Sequence, residues 1–263
     1  MTYAYFPGCT LKTQAADLDR WGRVSMEALG ITLEELPQWQ CCGAVYPLAK
    51  DEIASRLSSV RALMDARALN RPLVTLCSAC HHVIKRTNRD IARDETFRDR
   101  ANTYLAPETP YAGETQVLHY LEVLRDAVGF DNLAKQVKNP LTGKKIGAYY
   151  GCLLLRPSRQ MAFDDPENPT IMEDFIRAIG AEPVIYAQRN ECCGGYVTLE
   201  DRSLARTRAA AVEDNAAAQG AETLTTACPL CLYNLQKNGG GKLPVVYFTE
   251  LLAQALGLKE EAQ

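Results

Sequence analysis

The sequence predicts an α/β protein made of two pseudo-symmetric domains, each a small, mainly parallel sheet flanked by helices. Three observations lead there. Strand-like and helix-like segments alternate along the 263 residues, as they do where parallel strands are joined by helical crossovers. The order of segments in the first half recurs in the second. Each cysteine group follows a strand, at the carboxyl end where the functional loops of such units gather.

The first half opens with an apolar strand, Thr2–Phe6, that ends in Pro7-Gly8-Cys9. An amphipathic helix is expected over Gln14–Leu29 with Gly30 as its C-cap, then a strand over Ile31–Leu36 and a loop holding Cys41-Cys42-Gly43. A helix over Asp51–Leu69 leads to a third strand, Leu73–Leu76, and directly to Cys77-Ser78-Ala79-Cys80. His81–Ala92 reads as helix and Arg93–Gly113 as a loose segment rich in charge, Pro and Gly. A fourth strand, Gln116–Tyr120, runs into a helix over Leu121–Val128 that stops at Gly129.

In the second half the strand Lys144–Tyr150 ends at Gly151-Cys152, and a helix over Asn168–Ile179 stops at Gly180. The strand Glu182–Ala187 precedes Cys192-Cys193-Gly194-Gly195. The helix Leu199–Gln219 precedes the strand Thr223–Ala227 and Cys228-Pro229-Leu230-Cys231. Val245–Phe248 and the helix Thr249–Leu256 close the repeat, and Val117–Glu122 matches Val245–Glu250 as the fourth-strand exit. The Pro and Gly of Asn139–Gly143 put the expected boundary between domains 1–140 and 141–263.

The repeat uses all ten cysteines. Each half carries a Gly-Cys, a Cys-Cys-Gly and a CxxC, and 34 residues separate the last two in both (positions 43–76 and 194–227). A net charge of −3 and a pI near 5.7 give no general attraction to nucleic acid or anionic membrane. No apolar run approaches the roughly 20 residues of a spanning helix, and the amino terminus lacks the basic and apolar regions of a secretory signal. The expectation is a cytoplasmic protein whose thiols stay reduced, which argues against five disulfides. Adjacent cysteines are also poor partners for each other.

Thiolates are soft ligands that select zinc, copper(I) and iron–sulfur centres. A structural zinc or a cubane cluster takes four ligands, so five thiols per set leave one over. A centre with several irons has room for the fifth, whereas a tetrahedral zinc does not. Zinc remains the alternative, most of all at the first set. The loops after the third strands open helices, whose amino ends favour the thiolate.

The pattern resembles the cysteine-rich CCG domain. The tandem form, together with Tyr5-Phe6-Pro7-Gly8-Cys9-Thr10 and Cys41-Cys42-Gly43-Ala44, resembles the B subunit of heterodisulfide reductase. The resemblance implies two noncubane [4Fe–4S] clusters, one held by Cys9, Cys41, Cys42, Cys77 and Cys80 and one by Cys152, Cys192, Cys193, Cys228 and Cys231. It further implies a disulfide substrate reduced between them, or thiol or sulfur-carrier oxidation in reverse. The partners it implies are a flavoprotein similar to the A subunit of that enzyme, together with its ferredoxin-like C subunit. The chain itself has no flavin fingerprint, since Gly239-Gly240-Gly241 is not GxGxxG.

Two other classes stay open: a CCG electron-relay subunit of a quinone-linked or lactate- or glycolate-oxidising complex, and a zinc-binding structural module. Arg156, Arg189 and His81 are the candidate substrate contacts beyond the cysteines. Lys144, Lys145 and Arg159 belong to the same basic group, with ordinary surface as the default. For His81 and His82 a solvated helix face is expected, with cluster tuning or proton shuttling as the alternative. Tyr149, Tyr150 and Tyr196 are assigned to core packing, with a cavity wall as the alternative.

Overall fold

The first strand, β1 (Thr2–Phe6), is buried from Tyr3 onward, because helices cover both of its faces. A computed structural model describes residues 1–44 and 54–258. Behind β1 come α1 (Cys9–Lys12), α2 (Ala16–Ala28) and β2 (Thr32–Glu35). The expected helix over Gln14–Leu29 is α2, which starts two residues later, after the turn at Thr13–Ala15 that separates it from α1. The start of the expected helix at Asp51 lies outside the described residues. From Ala54 a 3₁₀ turn leads into α3 (Leu57–Ala68), then β3 (Leu73–Thr75) and α4 (Ser78–Arg93).

Residues Arg93–Gly113 are not wholly loose, since they contain α5 (Glu95–Leu105). The Asp94 side chain accepts the Phe97 N–H at 3.0 Å and buries Phe97 and Ala101 beneath that helix. Then follow β4 (Val117–His119), α6 (Tyr120–Val123) with a π-helical turn to Val128, and α7 (Phe130–Gln136). The second half contains β5 (Lys145–Tyr149), α8 (Ser158–Met161), α9 (Ile171–Ala178) and β6 (Glu182–Val184). It ends with α10 (Arg202–Ala218), β7 (Thr223–Thr226), α11 (Pro229–Asn238), β8 (Val245–Tyr247) and α12 (Phe248–Ala255).

Both sheets are fully parallel, ordered β2-β1-β3-β4 and β6-β5-β7-β8. Their registers correspond, with Thr75 opposite His119 and Thr226 opposite Tyr247. The first strand of each half has the second and third strands as neighbours, so all three cysteine-bearing loops leave the same sheet edge.

The halves are joined by exchange. The last helix of each half lies on the first long helix of the other: α12 on α2 and α7 on α9. Thr249 donates its hydroxyl to the Leu18 carbonyl at 3.0 Å, and Lys138 and Asn139 donate their N–H groups to Ala255, both at 2.9 Å. One buried apolar cluster runs through both sheets. This seam sets the two cysteine-bearing edges against each other.

Candidate metal centre

Each thiol is placed by a strand end. In the first half Gly8 turns the chain at φ +81°, and Cys9 starts α1. Cys77 is the extended N-cap of α4 and Cys80 lies in its first turn. Cys228 and Cys231 stand likewise at the start of α11, where Pro229 occupies the first turn and has no N–H to satisfy. The expected helix start at His81 is three residues late, because the cap of α4 is tertiary. Ser78 donates both its N–H (3.1 Å) and its hydroxyl (2.6 Å) to the Ala227 carbonyl of the other half.

All ten thiols are free. In the first set Cys9 and Cys41 Sγ lie 3.5 Å apart, and Cys42 and Cys80 Sγ 3.4 Å apart. In the second set Cys193 and Cys231 are 3.5 Å apart. These are non-bonded separations, well beyond the roughly 2.05 Å of a disulfide. Backbone N–H groups point at the sulfurs: Gly43 at Cys41 (3.5 Å), Gly194 at Cys192 (3.4 Å) and Gly195 at Cys193 (3.3 Å). The sets also meet: Ser78, next to Cys77, is hydrogen-bonded to Ala227, next to Cys228, and the Cys77 and Cys228 thiols shift each other's acidity.

Crowding divides the thiols electrostatically. Hydrogen bonds from Cys41 and then Cys80 pull Cys42 down to about 4, and those from Cys152 and Cys193 pull Cys192 down to about 2. Hydrogen bonds from Cys231 and Cys77 hold Cys228 well below the usual thiol range. The donating partners move the other way: Cys193 rises to about 12, chiefly through Cys192, and Cys41, Cys77, Cys80, Cys152 and Cys231 all rise. Protein groups alone thus sustain a few thiolates, and only bound cations could make all of them anions.

The donor set fits a soft, multinuclear group. Among the described residues no three His, Cys, Asp or Glu side chains converge on one metal-ion position. The thiols form pairs along a seam, a spread that suits several irons better than a single tetrahedral zinc. The backbone is cut close around them: a Cβ on Gly8 would stand 2.8 Å from Cys80 Sγ, and one on Gly151 3.2 Å from Cys231 Sγ.

A narrow cleft of about 10 Å³ opens onto the second set and is walled by Ser78, Tyr150, Leu153, Tyr196 and Leu230. Burial raises the Tyr196 hydroxyl, as do Cys228, Cys42, Cys77 and Cys152, so this ring faces thiols of both sets. Core packing is therefore incomplete as its description: it roofs the junction. Asn234, one helical turn beyond Cys231, donates its amide to the Cys193 carbonyl at 2.7 Å. An Asn one turn beyond a CxxC is the sequence signal for this contact, and the cysteine pattern overshadows it.

The candidate substrate contacts do not reach this cleft. Arg189 is buried, 3.3 Å from the Glu173 carboxylate, and donates to Asn168 Oδ1 at 2.7 Å. Glu173 also accepts the Tyr150 hydroxyl, so Arg189 completes an internal network. Arg156 spans its own loop, donating to the Asn190 carbonyl at 2.8 Å and to Glu167 at 3.1 Å. Lys144, Lys145 and Arg159 are exposed, the two lysines at the amino end of β5, away from the thiols.

The histidines correct an expectation. His81 is fully buried, 3.5 Å from the Glu122 carboxylate and edge-on to His119 and Phe163, because α4 lies along the seam against α8. His82 is half-buried, and its Nδ1 lies 2.9 Å from the Leu153 carbonyl of the other half. Neither stands on a solvated face.

With this geometry in hand, three comparisons with known proteins are informative. The model of the cysteine-rich CCG domain matches residues 3–85 and again 146–236. The 8-methylmenaquinol:fumarate reductase membrane anchor subunit of Wolinella succinogenes is 32% identical over 266 residues, covering 97% of this chain and 92% of that one. The B subunit of the ferredoxin:CoB-CoM heterodisulfide reductase of Methanosarcina mazei is 25% identical, covering 97% and 89%. A protein of Archaeoglobus profundus, named for its likeness to the B subunit of heterodisulfide reductase, is also 25% identical, covering 98% and 92%. A crystal structure of a hypothetical protein from Helicobacter pylori superposes with a TM-score of 0.76 at 12% identity. It matches 99% of this chain, which spans 50% of that one, and it bears on the fold alone. Among the described residues no helix is long and apolar enough to cross a membrane.

Proposed function

Since the chain belongs to the cysteine-rich CCG-domain family and carries that domain twice, we propose that it is the electron-relay subunit of a quinone-linked oxidoreductase complex. Cys9, Cys41, Cys42, Cys77 and Cys80 would hold one [4Fe–4S] cluster. Cys152, Cys192, Cys193, Cys228 and Cys231 would hold a second, both of the noncubane type. Bound there, such groups would supply one-electron redox chemistry.

The observation that carries the reading is the junction of the two CxxC loops: Ser78, next to Cys77, donates its N–H and hydroxyl to the carbonyl of Ala227, next to Cys228, which sets the two ligand sets against each other. The chain's own residues suit it to that task. Gly43, Gly194 and Gly195 aim N–H groups at sulfur, which stabilises negative charge there. Tyr196 and Leu230 narrow the cleft and limit water. The proposed partners are a flavoprotein and a ferredoxin-like protein, in the reducing cytoplasm.

Reduction of a disulfide, or its reverse with a thiol or sulfur carrier, is the second reading, favoured by the relatives named for the B subunit of heterodisulfide reductase. The cleft weighs against an anionic disulfide, because none of its described lining residues is a cation. Arg156 and Arg189 are engaged elsewhere.

Turnover of the anaerobically purified, iron-loaded chain separates the two. With reduced viologen as donor, the relay reading expects rapid reduction of the bound centres and electron delivery to a quinone in the presence of the partner proteins, with no thiol released from added disulfide. Sustained thiol release by the chain alone would overturn it in favour of the second reading.

A further inference from the structure

The surface beside the second thiol set carries a feature that the relay reading leaves unused. Thr198, Arg202, Arg206, Tyr233, Lys237 and Asn238 line an open groove of about 220 Å³ between α10 and α11. Arg202 and Arg206 are one turn apart on α10, and Lys237 faces them from α11. All three are exposed, and among the described residues none makes an ion pair.

Other cations of this chain find partners within it, as in Arg56–Asp90, Arg177–Asp174 and Lys242–Asp214. The acids nearest in sequence do not compensate. Asp201 accepts the Leu204 N–H at 2.8 Å as the cap of α10, and Glu200 lies exposed in the preceding turn. Like charges a turn apart repel, and a counter-charge supplied from outside relieves that repulsion.

The groove is also edged by exposed apolar surface. Leu199, next to Thr198, is 93% exposed, and Tyr233 is 58% exposed. Arginine, tyrosine and an apolar contact together match the composition of protein interface centres. A small anion would neutralise the cations without needing them.

The groove floor leads to the second thiol set. Asn238 donates its amide to Asn234 Oδ1 at 2.8 Å, and Asn234 donates to the Cys193 carbonyl at 2.7 Å. The Thr198 hydroxyl lies 3.1 Å from Asn234 Oδ1 and 3.4 Å from the Gly194 carbonyl.

We propose that this groove docks an acidic redox protein, whose carboxylates meet Arg202, Arg206 and Lys237 while an apolar residue packs on Leu199 and Tyr233. The redox character of the partner rests on the relay reading; its acidic surface rests on the groove. Docking here sets the partner beside Cys192 and Cys193 and leaves the first set free for exchange through Cys77 and Cys228.

The test is calorimetric binding of a small acidic [2Fe–2S] ferredoxin to the iron-loaded chain at low salt. The unaltered chain is compared with Arg202→Glu/Arg206→Glu, Leu199→Ala and Lys135→Glu, the last on the groove near Met1 at the other end of the sheets. Affinity is expected to fall by about tenfold or more in the double reversal, as electrostatic steering predicts. It should fall by a smaller factor in Leu199→Ala, hold in Lys135→Glu, and weaken with added salt.

Equal losses in Lys135→Glu, no binding by the unaltered chain, or binding of inorganic phosphate alone would each overturn the proposal. Calorimetry reads docking without electron transfer. A failure of the relay reading therefore appears as absent turnover with the affinity series intact, and a failure of the docking proposal as the reverse.

Discussion

The two thiol sets share a strand order but not a covering. In the first, Cys41 is exposed and Cys9 half-buried; in the second, Cys192 and Cys152 are both half-buried beneath Tyr196. In both Cys-Cys-Gly loops backbone N–H groups turn towards sulfur, from Gly43 and Ala44 in the first and from Gly194 and Gly195 in the second. The strand exits diverge as well, with His119 where the second half has Tyr247. The repeat keeps the ligands' positions, and the loops around them decide water access and charge.

Deleting a ligand is the harshest way to probe this difference. Cys193→Ala should remove the second centre and about half of the iron, leaving the first spectroscopically intact, while Cys42→Ala does the mirror. Metal analysis with electron paramagnetic resonance reads both. A full iron complement in either variant would show that the five-thiol assignment is wrong.

Next in size are the glycines that clear space for sulfur. Gly8 and Gly151 both have positive φ, but a Cβ meets Cys80 Sγ at 2.8 Å in the first half and Cys231 Sγ at 3.2 Å in the second. Gly8→Ala should therefore cost about 2–3 kcal/mol and Gly151→Ala about 1–2 kcal/mol in urea unfolding. Equal costs would mean that the two approaches are equally loose.

The His119–Tyr247 difference gives a pH signature to one half only. Burial pushes the His119 imidazole down to about 3 from its usual 6.5. The folded state thus refuses a proton that the unfolded chain accepts. The stability from this site is complete above about pH 6.5 and is lost as pH falls towards 3, by up to about 1.4 kcal/mol per unit. Glu122, which accepts the His119 N–H and is raised by burial, works in the opposite sense. His119→Asn, with an acceptor for the Leu121 N–H, should reduce the slope between pH 7 and 5 and leave the part that burial of His81 and His82 contributes. An unchanged slope would assign the acid sensitivity elsewhere.

The smallest effect concerns the seam. The Tyr247 hydroxyl reaches the Leu76 carbonyl at 2.8 Å and the Ala227 carbonyl at 2.9 Å, one from each half. Tyr247→Phe should cost about 1–2 kcal/mol and lower Tm by a few degrees. It should also loosen the junction of the Cys77 and Cys228 loops, seen as altered magnetic coupling between the centres.

The sequence made the strands, their repeat and the five thiols at one edge of each sheet legible, because strand patterning and cysteine spacing are local signals. What it hid is tertiary. The cap of α4 comes from Ala227, on the far side of the seam, so nothing near Ser78 marks the helix start. His81 and His82 look like polar helix residues until α8 is laid across them. Arg189 reads as a free cation until Glu173 is brought beside it. The helix α5 was within reach, since Asp94-Glu95 ahead of Phe97 is a capping signal, but charge and Pro around it masked the pattern.

The most direct test of the central claim is a count of iron, acid-labile sulfide and zinc on the anaerobically purified chain. Two occupied thiol sets predict about eight irons with matching sulfide and no zinc. Zinc without iron would contradict the account, and the chain would then be a metal-stabilised scaffold.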